Sequence, residues 1–299
     1  MKTPLLLSPY EVKLIWGEEH WVVSALKGAA STVMNGIYRG MGLDEVVARE
    51  GVKITGTKSP SPDTFPLLMK VIDAKRALSL QVHPNSTTAY ILGSEPKSEA
   101  WYVLSADADA ADPSAEIKAD ILAGLKPEIT PERFFEEVMN GQADKCAVEY
   151  KVKRGDMCYI PGGTVHAIGG GVRIFEAQQT SETTYRLFDW HRTDRNGKPR
   201  DLHIAKGLSA INWRVKGTEL LNRAIGTPYF TMRELDLDGR FQRALDTASF
   251  RAYFVVEGRI EVSCGGESIA AGSEGAIIVP ADAEEFEICG KAKIVVTTL

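Results

Sequence analysis

The sequence predicts a mainly β fold of two β-barrels, with a small helical excursion in the first. Short apolar or alternating segments bounded by Gly, Pro, Asp or Asn dominate the chain, and this pattern is typical of strands. Strands this short and this frequent favour sandwiches or barrels over alternating βαβ units. The predicted strands are Leu67–Ile72, Leu78–Val82, Trp101–Leu104, Met157–Ile160, Val172–Phe175, Ala252–Val256, Arg259–Ser263, Ala276–Val279 and Lys291–Thr297.

Two segments have the pattern of helices. In Pro131–Asn140, Thr130 can cap the first turn, a proline suits the first helical position and Gly141 supplies the stop. Leu43–Glu50 is a second, weaker helical pattern that ends at a glycine. We therefore expect residues 106–145 to form a loop and helix excursion from the first barrel.

Two parts of the chain resemble each other. Placing Pro161 over Pro280 aligns RGDMCYIPGGTVHAI with SEGAIIVPADAEEFEI, and a second alignment sets EAWYVLSA over RAYFVVEG. A duplicated barrel and a chance similarity of two β-hairpins are both consistent with this repeat. In the duplicated barrel, Arg251 replaces Glu99 and Glu285 replaces His166.

Length and composition limit the classes of protein to which the chain can belong. The 299 residues, 44% of them apolar and 25% charged, suit a globular protein of about two domains. The net charge of −5, without a basic run, argues against a nucleic-acid partner. No apolar run approaches the roughly 20 residues that span a bilayer, and Met1–Pro9 lacks a signal-peptide core. We expect a cytoplasmic monomer or small homo-oligomer with buried free thiols at Cys146, Cys158, Cys264 and Cys289.

The chemistry of the chain is concentrated in three predicted strands. Gln81 and His83 are two apart in LSLQVHP, so their side chains point to one face of a strand. Glu99 follows in KSEAWYVL, and His166 follows a Gly-rich turn in IPGGTVHAI. Two imidazoles, one carboxylate and one amide oxygen suit zinc, with iron, manganese or cobalt as competitors. Each histidine could instead be a hydrogen-bonded core residue, and Glu99 could simply pair with Lys97.

The ordered set of motifs resembles the short bacterial form of type I phosphomannose isomerase, a zinc-dependent enzyme of the cupin superfamily. The resemblance covers roughly residues 5–215 and is looser beyond them, where a degenerate cupin is expected. It is carried by LIWGEEHWVVSA, NGIYRGMGLDEVV, LLMKVIDAKRALSLQVHP, KSEAWYVL, GDMCYIPGGTVHAIGGG, EAQQTSETTYRLFDWHR and RDLHIAKGL.

The resemblance implies a fold and a domain organisation. The two barrels are expected to be cupin-like jelly rolls. The first, residues 1–215, is the metal-binding domain, and the second, residues 216–299, lacks a metal site.

The resemblance also implies roles for single residues. It implies one zinc ion per chain bound by Gln81, His83, Glu99 and His166. It implies catalytic roles for Lys97, Glu176 and Arg186. Pro96 stands where longer family members carry a histidine, so a role in proton transfer does not carry over to that position. The candidates for phosphate contact are Lys198, Arg200, His203 and Lys206. A solvent-exposed face is an equally good interpretation of these four residues.

The implied activity is the interconversion of mannose 6-phosphate and fructose 6-phosphate through an enediol. The sequence leaves Glu176, a metal-bound water and Lys97 open as the base. Without the resemblance, Arg186 reads as a salt-bridge partner of Glu182 or Asp189. Other interpretations of the chain are an isomerase of another aldose, a non-haem iron oxygenase and a sugar-binding cupin without turnover.

Overall fold

The computed structural model of the protein describes residues 2–193, 196–244 and 247–299. Its strands are β1 Leu5–Ser8, β2 Tyr10–Leu14, β3 Gly17–Val23, β4 Thr32–Val33, β5 Leu67–Ala74, β6 Leu80–Val82, β7 Glu99–Ala106, β8 Asp120–Leu125, β9 Ala147–Lys151, β10 Asp156–Ile160, β11 His166–Ile168, β12 Val172–Gln179, β13 Tyr185–Phe188, β14 Leu220–Asn222, β15 Ala224–Gly226, β16 Thr231–Ala244, β17 Arg251–Cys264, β18 Glu267–Gly272, β19 Ala276–Val279 and β20 Glu285–Thr298. Its α-helices are α1 Leu43–Glu50, α2 Val52–Thr55, α3 Ser86–Leu92, α4 Pro131–Met139 and α5 Ile204–Ala210. Short 3-10 helices lie at Gly36–Tyr38, Ala108–Ala110 and Ala143–Cys146.

The prediction of a mainly β chain is confirmed. Every predicted strand overlaps an observed one, and the two segments Ala252–Val256 and Arg259–Ser263 lie in the single long strand β17. The strand pairings define sheets, and their closure into two jelly-roll barrels stays a prediction. None of the helices in the described part of the chain is long and apolar enough to cross a membrane.

The chain divides into two compact units. The first consists of residues 1–12, 20–70 and 223–299, and the second of residues 13–19 and 71–222. The predicted boundary between residues 215 and 216 stays a prediction.

The first unit contains one large sheet. Its strand order is β15-β16-β20-β17-β19-β1-β4, and β18 pairs with β17. Tyr253, Val255 and Phe286 belong to its buried apolar core. The alternation of apolar residues along β17 and β20 supplies this core, because every second side chain of a strand points to the same face.

The second unit contains the two strand sets that carry the predicted site. One is ordered β13-β6-β11-β8-β9, and the other contains the run β14-β10-β7-β12. The core of the first set includes Leu80 and Phe134. The core of the second set includes Trp101 and Ile174.

The excursion at 106–145 differs in part from the prediction. The helix is confirmed as α4, with Thr130 Oγ1 accepting a hydrogen bond from Arg133 N at 3.2 Å. The expectation of loop and helix alone is wrong, because β8 lies in this segment and pairs with β11. The run DILAGL lacks the alternation that marks a strand, since Ile121 to Leu125 are all buried.

The two units share one detail of register. Glu99 is the first residue of β7 and pairs with Ile160, which Pro161 follows. Arg251 is the first residue of β17 and pairs with Val279, which Pro280 follows. The two alignments drawn from the sequence therefore coincide with equivalent strand pairings within each unit.

Candidate metal centre

The short strand β6 brings three predicted residues into one row. Gln81 pairs with His166 of β11 on one side and with Arg186 of β13 on the other. Residues directly opposite each other on antiparallel strands point to the same face. The three side chains therefore project from one face of this sheet.

His83, Glu99 and His166 converge at one point of the second unit. One ligand atom of each residue lies within 4.8 Å of the others, and all three side chains are 1% exposed. Nε2 of His83 is 3.3 Å from Oε2 of Glu99, and Nε2 of His166 is 3.3 Å from Oε1 of Glu99. The structure thus brings together three residues that the sequence singled out, from β7, from β11 and from the position after β6.

Backbone carbonyls orient both imidazoles. Nδ1 of His83 lies 2.8 Å from the carbonyl oxygen of Thr183, and Nδ1 of His166 lies 2.9 Å from that of Thr164. Because a carbonyl oxygen only accepts, each Nδ1 carries the proton and each Nε2 presents its lone pair to the cluster. Outer hydrogen bonds of this kind are the usual support of metal-binding histidines.

Burial sets the protonation states of the cluster. Burial and, to a smaller extent, the nearby Lys97 charge lower the pKa of His83 to about 3, against the attraction of Glu99. Burial also lowers the pKa of His166, against the attraction of Glu99. Although burial alone raises the pKa of Glu99, the Lys97 charge and the two histidines hold it well below its usual range. At neutral pH the cluster thus offers two neutral imidazoles and one carboxylate, the forms that bind metal.

The residues fit a divalent metal ion. Nε2 of His83 is buried and has no hydrogen-bond partner among the described residues. The Gln81 amide nitrogen lies 3.3 Å from His166 Nε2, and half a turn of the amide presents its oxygen there instead. Nitrogen and oxygen donors without a thiolate suit zinc, iron, manganese or cobalt.

Two further predicted residues are buried beside the cluster. Lys97 is 6% exposed, and its Nζ lies 3.0 Å from Oε2 of Glu99. Burial lowers the pKa of Lys97, but the Glu99 and Glu176 carboxylates outweigh it and raise the pKa above its ordinary value. Glu176 is 3% exposed, and its Oε2 accepts a hydrogen bond from Trp101 Nε1 at 2.9 Å. The site thus holds one ammonium group and a second carboxylate next to the three candidate ligands.

The Arg186 side chain is half-buried. Hydrogen bonds hold both its backbone N–H and its guanidinium group. Its backbone N–H donates to His203 Nδ1 at 3.1 Å, and Nη1 donates to the carbonyl oxygen of Asp201 at 2.8 Å. Its Nε is buried without a hydrogen-bond partner among the described residues. Burial lowers the pKa of Arg186, and the charge of Arg200 adds to the effect. The alternative interpretation of Arg186, an ion pair with Glu182 or Asp189, has no counterpart among the ion pairs of the described residues. Asp189 instead binds Arg192 and Arg200.

Sequence reasoning missed the part played by Trp101 and by two backbone carbonyls. Trp101 reads as a core residue of a strand, yet its indole N–H donates to Glu176. The signal was present, because Trp101 stands two residues after Glu99 and shares its face of β7. The carbonyls of Thr164 and Thr183 left no signal, since any residue supplies one.

The fold and the site define a mainly β protein with a buried cluster able to bind a divalent metal. Residues 16–123 match the family model for the phosphomannose isomerase type I catalytic domain, and residues 221–299 match that for the mannose-6-phosphate isomerase cupin domain. A mannose-6-phosphate isomerase of Streptococcus mutans is 32% identical, over 99% of this chain and 98% of the relative. The chain belongs to the type I mannose-6-phosphate isomerase family, and it is an enzyme of the isomerase class.

Other relatives agree with this assignment. A mannose-6-phosphate isomerase of Bacillus subtilis is 37% identical, over 70% of this chain and 68% of the relative. A crystal structure of mannose 6-phosphate isomerase from Bacillus subtilis superposes with a TM-score of 0.85 at 29% identity, with all of both chains covered. Residues 221–299, for which the sequence alone indicated only a loose likeness, match the model for the cupin domain of this family.

Proposed function

We propose that the protein interconverts mannose 6-phosphate and fructose 6-phosphate at the cluster around Glu99. The observation that carries this proposal is the convergence of His83, Glu99 and His166 within 4.8 Å, in a chain of this family. The charged groups of Lys97, Glu176 and Arg186 support it, because a site that only binds a neutral sugar has no need of them.

We propose that one zinc ion per chain is bound by His83, Glu99, His166 and the amide oxygen of Gln81. The set matches zinc in its count of four and in its nitrogen and oxygen donors. When bound, zinc supplies a Lewis acid that stabilises negative charge on the sugar oxygens.

The chain's own residues account for the remaining steps. C2 of mannose 6-phosphate loses its proton to a base while the C1 oxygen gains one, which yields an enediol. Return of a proton to C1 and loss of the proton on O2 yield fructose 6-phosphate. Glu176 is the side chain we assign as the base, because it is a carboxylate buried beside the cluster rather than a ligand in it.

Two cations support this proton transfer. The Lys97 ammonium, paired with Glu99 at 3.0 Å, neutralises the negative charge that develops on the sugar. Arg186 lies in the same cross-strand row as Gln81 and His166, and its Nε is available to an anionic group of the substrate.

The finer expectations drawn from the sequence complete the proposal. The chain forms two cupin-like jelly rolls, of which residues 1–215 form the metal-binding domain and residues 216–299 the barrel without a metal site. The enzyme works in the cytoplasm as a monomer or small homo-oligomer, and its partner is a small sugar phosphate rather than nucleic acid or membrane.

A coupled assay tests the proposed function. Purified protein is assayed for conversion of mannose 6-phosphate to fructose 6-phosphate before chelation, after chelation and after zinc is restored. We expect activity that disappears with the metal and returns with zinc. Protein that holds zinc and leaves mannose 6-phosphate unchanged would refute the proposal, and unphosphorylated aldoses would then be the next substrates to assay.

A further inference from the structure

A cavity of about 340 Å³ in the first unit is rich in arginine. Strands β16, β17 and β20 supply its walls, and its polar lining residues are Thr231, Arg233, Arg243, Arg251, Tyr253 and Thr298. No carboxylate lines it within the part of the chain that the structure describes. We refer to these six residues as the arginine cavity.

The guanidinium groups of this cavity are available for binding. Nε of Arg251 is buried and has no hydrogen-bond partner among the described residues. Arg233 and Arg243 are exposed, so the cavity can be reached from solvent. Burial raises the pKa of Tyr253, while the charges of Arg251 and Arg243 oppose that rise, which agrees with their lying close to the phenol.

Strand pairing explains how the arginine cavity forms. Arg233 of β16 pairs with Val296 of β20, and Val296 pairs with Tyr253 of β17. Thr231 pairs with Thr298 in the neighbouring row, and their hydroxyl oxygens are 3.1 Å apart. Paired residues share a face, so cationic, hydroxyl and phenol groups all face the cavity.

We propose that the arginine cavity is a binding site for a phosphate-type oxyanion, either free phosphate or a phosphate monoester. Three like charges around one cavity repel each other, and an anion between them removes that repulsion. A guanidinium group donates in a planar fork that matches the oxygens of phosphate, and the hydroxyl groups of Thr231 and Thr298 add donors. All of its lining residues lie in the first unit, and none of them belongs to the proposed isomerase centre.

Hydrogen–deuterium exchange with mass spectrometry tests this site, because it reports on each peptide separately. Full-length protein is compared with and without inorganic phosphate, with sodium chloride at matched ionic strength as the salt control. We expect phosphate to protect peptides from residues 231–244 and 251–264, and chloride to have no such effect. Absence of protection in both peptides would overturn the proposal.

Substitutions test whether the protection by phosphate arises at the arginine cavity. Arg251→Gln is expected to raise the phosphate concentration needed for half-maximal protection by about tenfold or more, the scale of losing a charged hydrogen-bond donor. Arg243→Gln, at an exposed position, is expected to weaken binding in the same direction and serves if Arg251→Gln does not fold. Arg240→Gln is the matched control. Arg240 lies on the same strand, but it does not line the cavity, and its guanidinium group pairs with Glu287 at 2.9 Å.

Two outcomes of the variant measurements would overturn the assignment. Equal loss of affinity in Arg240→Gln and Arg251→Gln would mean a response to net charge and would overturn the assignment. Unchanged affinity in both Arg251→Gln and Arg243→Gln would overturn it as well.

A second ligand separates the possible sources of the anion. Protection by glycerol 3-phosphate at lower concentration than by phosphate identifies an ester as the ligand, and equal protection identifies the free oxyanion. Both results support an oxyanion site.

Discussion

The two units place different chemistry on equivalent strand positions. In the second unit, the motif Glu-Ala-Trp-Tyr-Val begins β7 with Glu99, and in the first unit Arg-Ala-Tyr-Phe-Val begins β17 with Arg251. Both charged residues pair with the residue before a proline, at Ile160 and at Val279. One position carries a carboxylate that can bind a cation, and the other carries a guanidinium group that can bind an anion.

A second pair of positions follows the same rule. Trp101 pairs with Glu176 of β12, whereas Tyr253 pairs with Val296 of β20. The first unit therefore lacks both carboxylates at these positions. The comparison teaches that strand register decides where a site forms in such a sheet, and that a few side chains decide which ligand it takes.

The largest expected effect comes from removing a histidine ligand. His83→Ala and His166→Ala should each lose the bound zinc and reduce turnover of mannose 6-phosphate by about a thousandfold or more, because the Lewis acid is lost. Zinc content by mass spectrometry and the coupled assay measure both effects. Glu285→Ala is the control from the aligned position of the first unit and should keep zinc and activity. Stoichiometric zinc in both histidine variants would contradict the proposed ligands.

Loss of the proposed base should be the next largest effect. Glu176→Gln keeps an oxygen that can accept the Trp101 hydrogen bond but removes the proton acceptor. We expect kcat to fall by about a hundredfold or more with zinc retained, the usual scale of general base catalysis. The exposed change Glu149→Gln is its control. A kcat within about twofold of the parent enzyme would remove Glu176 from the proton transfer.

Arg186→Ala should reduce turnover by about a hundredfold and leave zinc content intact. This is the scale of losing one electrostatic donor at a transition state. Arg214→Ala, at an exposed position of the same unit, should leave turnover unchanged. Steady-state kinetics with zinc analysis measure the effect, and near-normal turnover would mean that Arg186 only supports the fold.

The smallest expected effect is a loss of stability in the second unit without a change in its chemistry. Thr130→Ala removes the cap of α4 and should lower the free energy of unfolding by about 1 kcal/mol. Zinc content and kcat at moderate temperature should stay at parent values, while denaturant unfolding shifts. A loss of zinc in this variant would show that α4 helps to shape the metal centre.

The strands could be predicted because alternating apolar residues mark them. Spacing and motif singled out the four candidate ligands, whose binding of a metal stays a prediction. Gln81 and His83 are two apart on a strand, so one short motif predicts their common face. The Thr130 cap and Pro131 start of α4 are equally local, and the structure confirms both. Such features depend on neighbouring residues alone.

Features that depend on distant partners could not be predicted. β8 pairs with β11 across the excursion, and nothing in its apolar run distinguishes a strand from a buried helix. The carbonyls of Thr164 and Thr183 orient the histidines only because the fold brings them there. The arginine cavity gathers residues of three strands, and only their pairing shows that they share a face.

The central claim is that the metal site lies at Glu99 of the second unit, with zinc bound by the surrounding residues. Crystals of the zinc-loaded enzyme, measured at the zinc absorption edge, locate the ion by anomalous scattering. We predict one strong peak per chain, at about 2.0–2.2 Å from Nε2 of His83, Nε2 of His166 and a carboxylate oxygen of Glu99. A strong peak elsewhere, with no density between these three side chains, would contradict it.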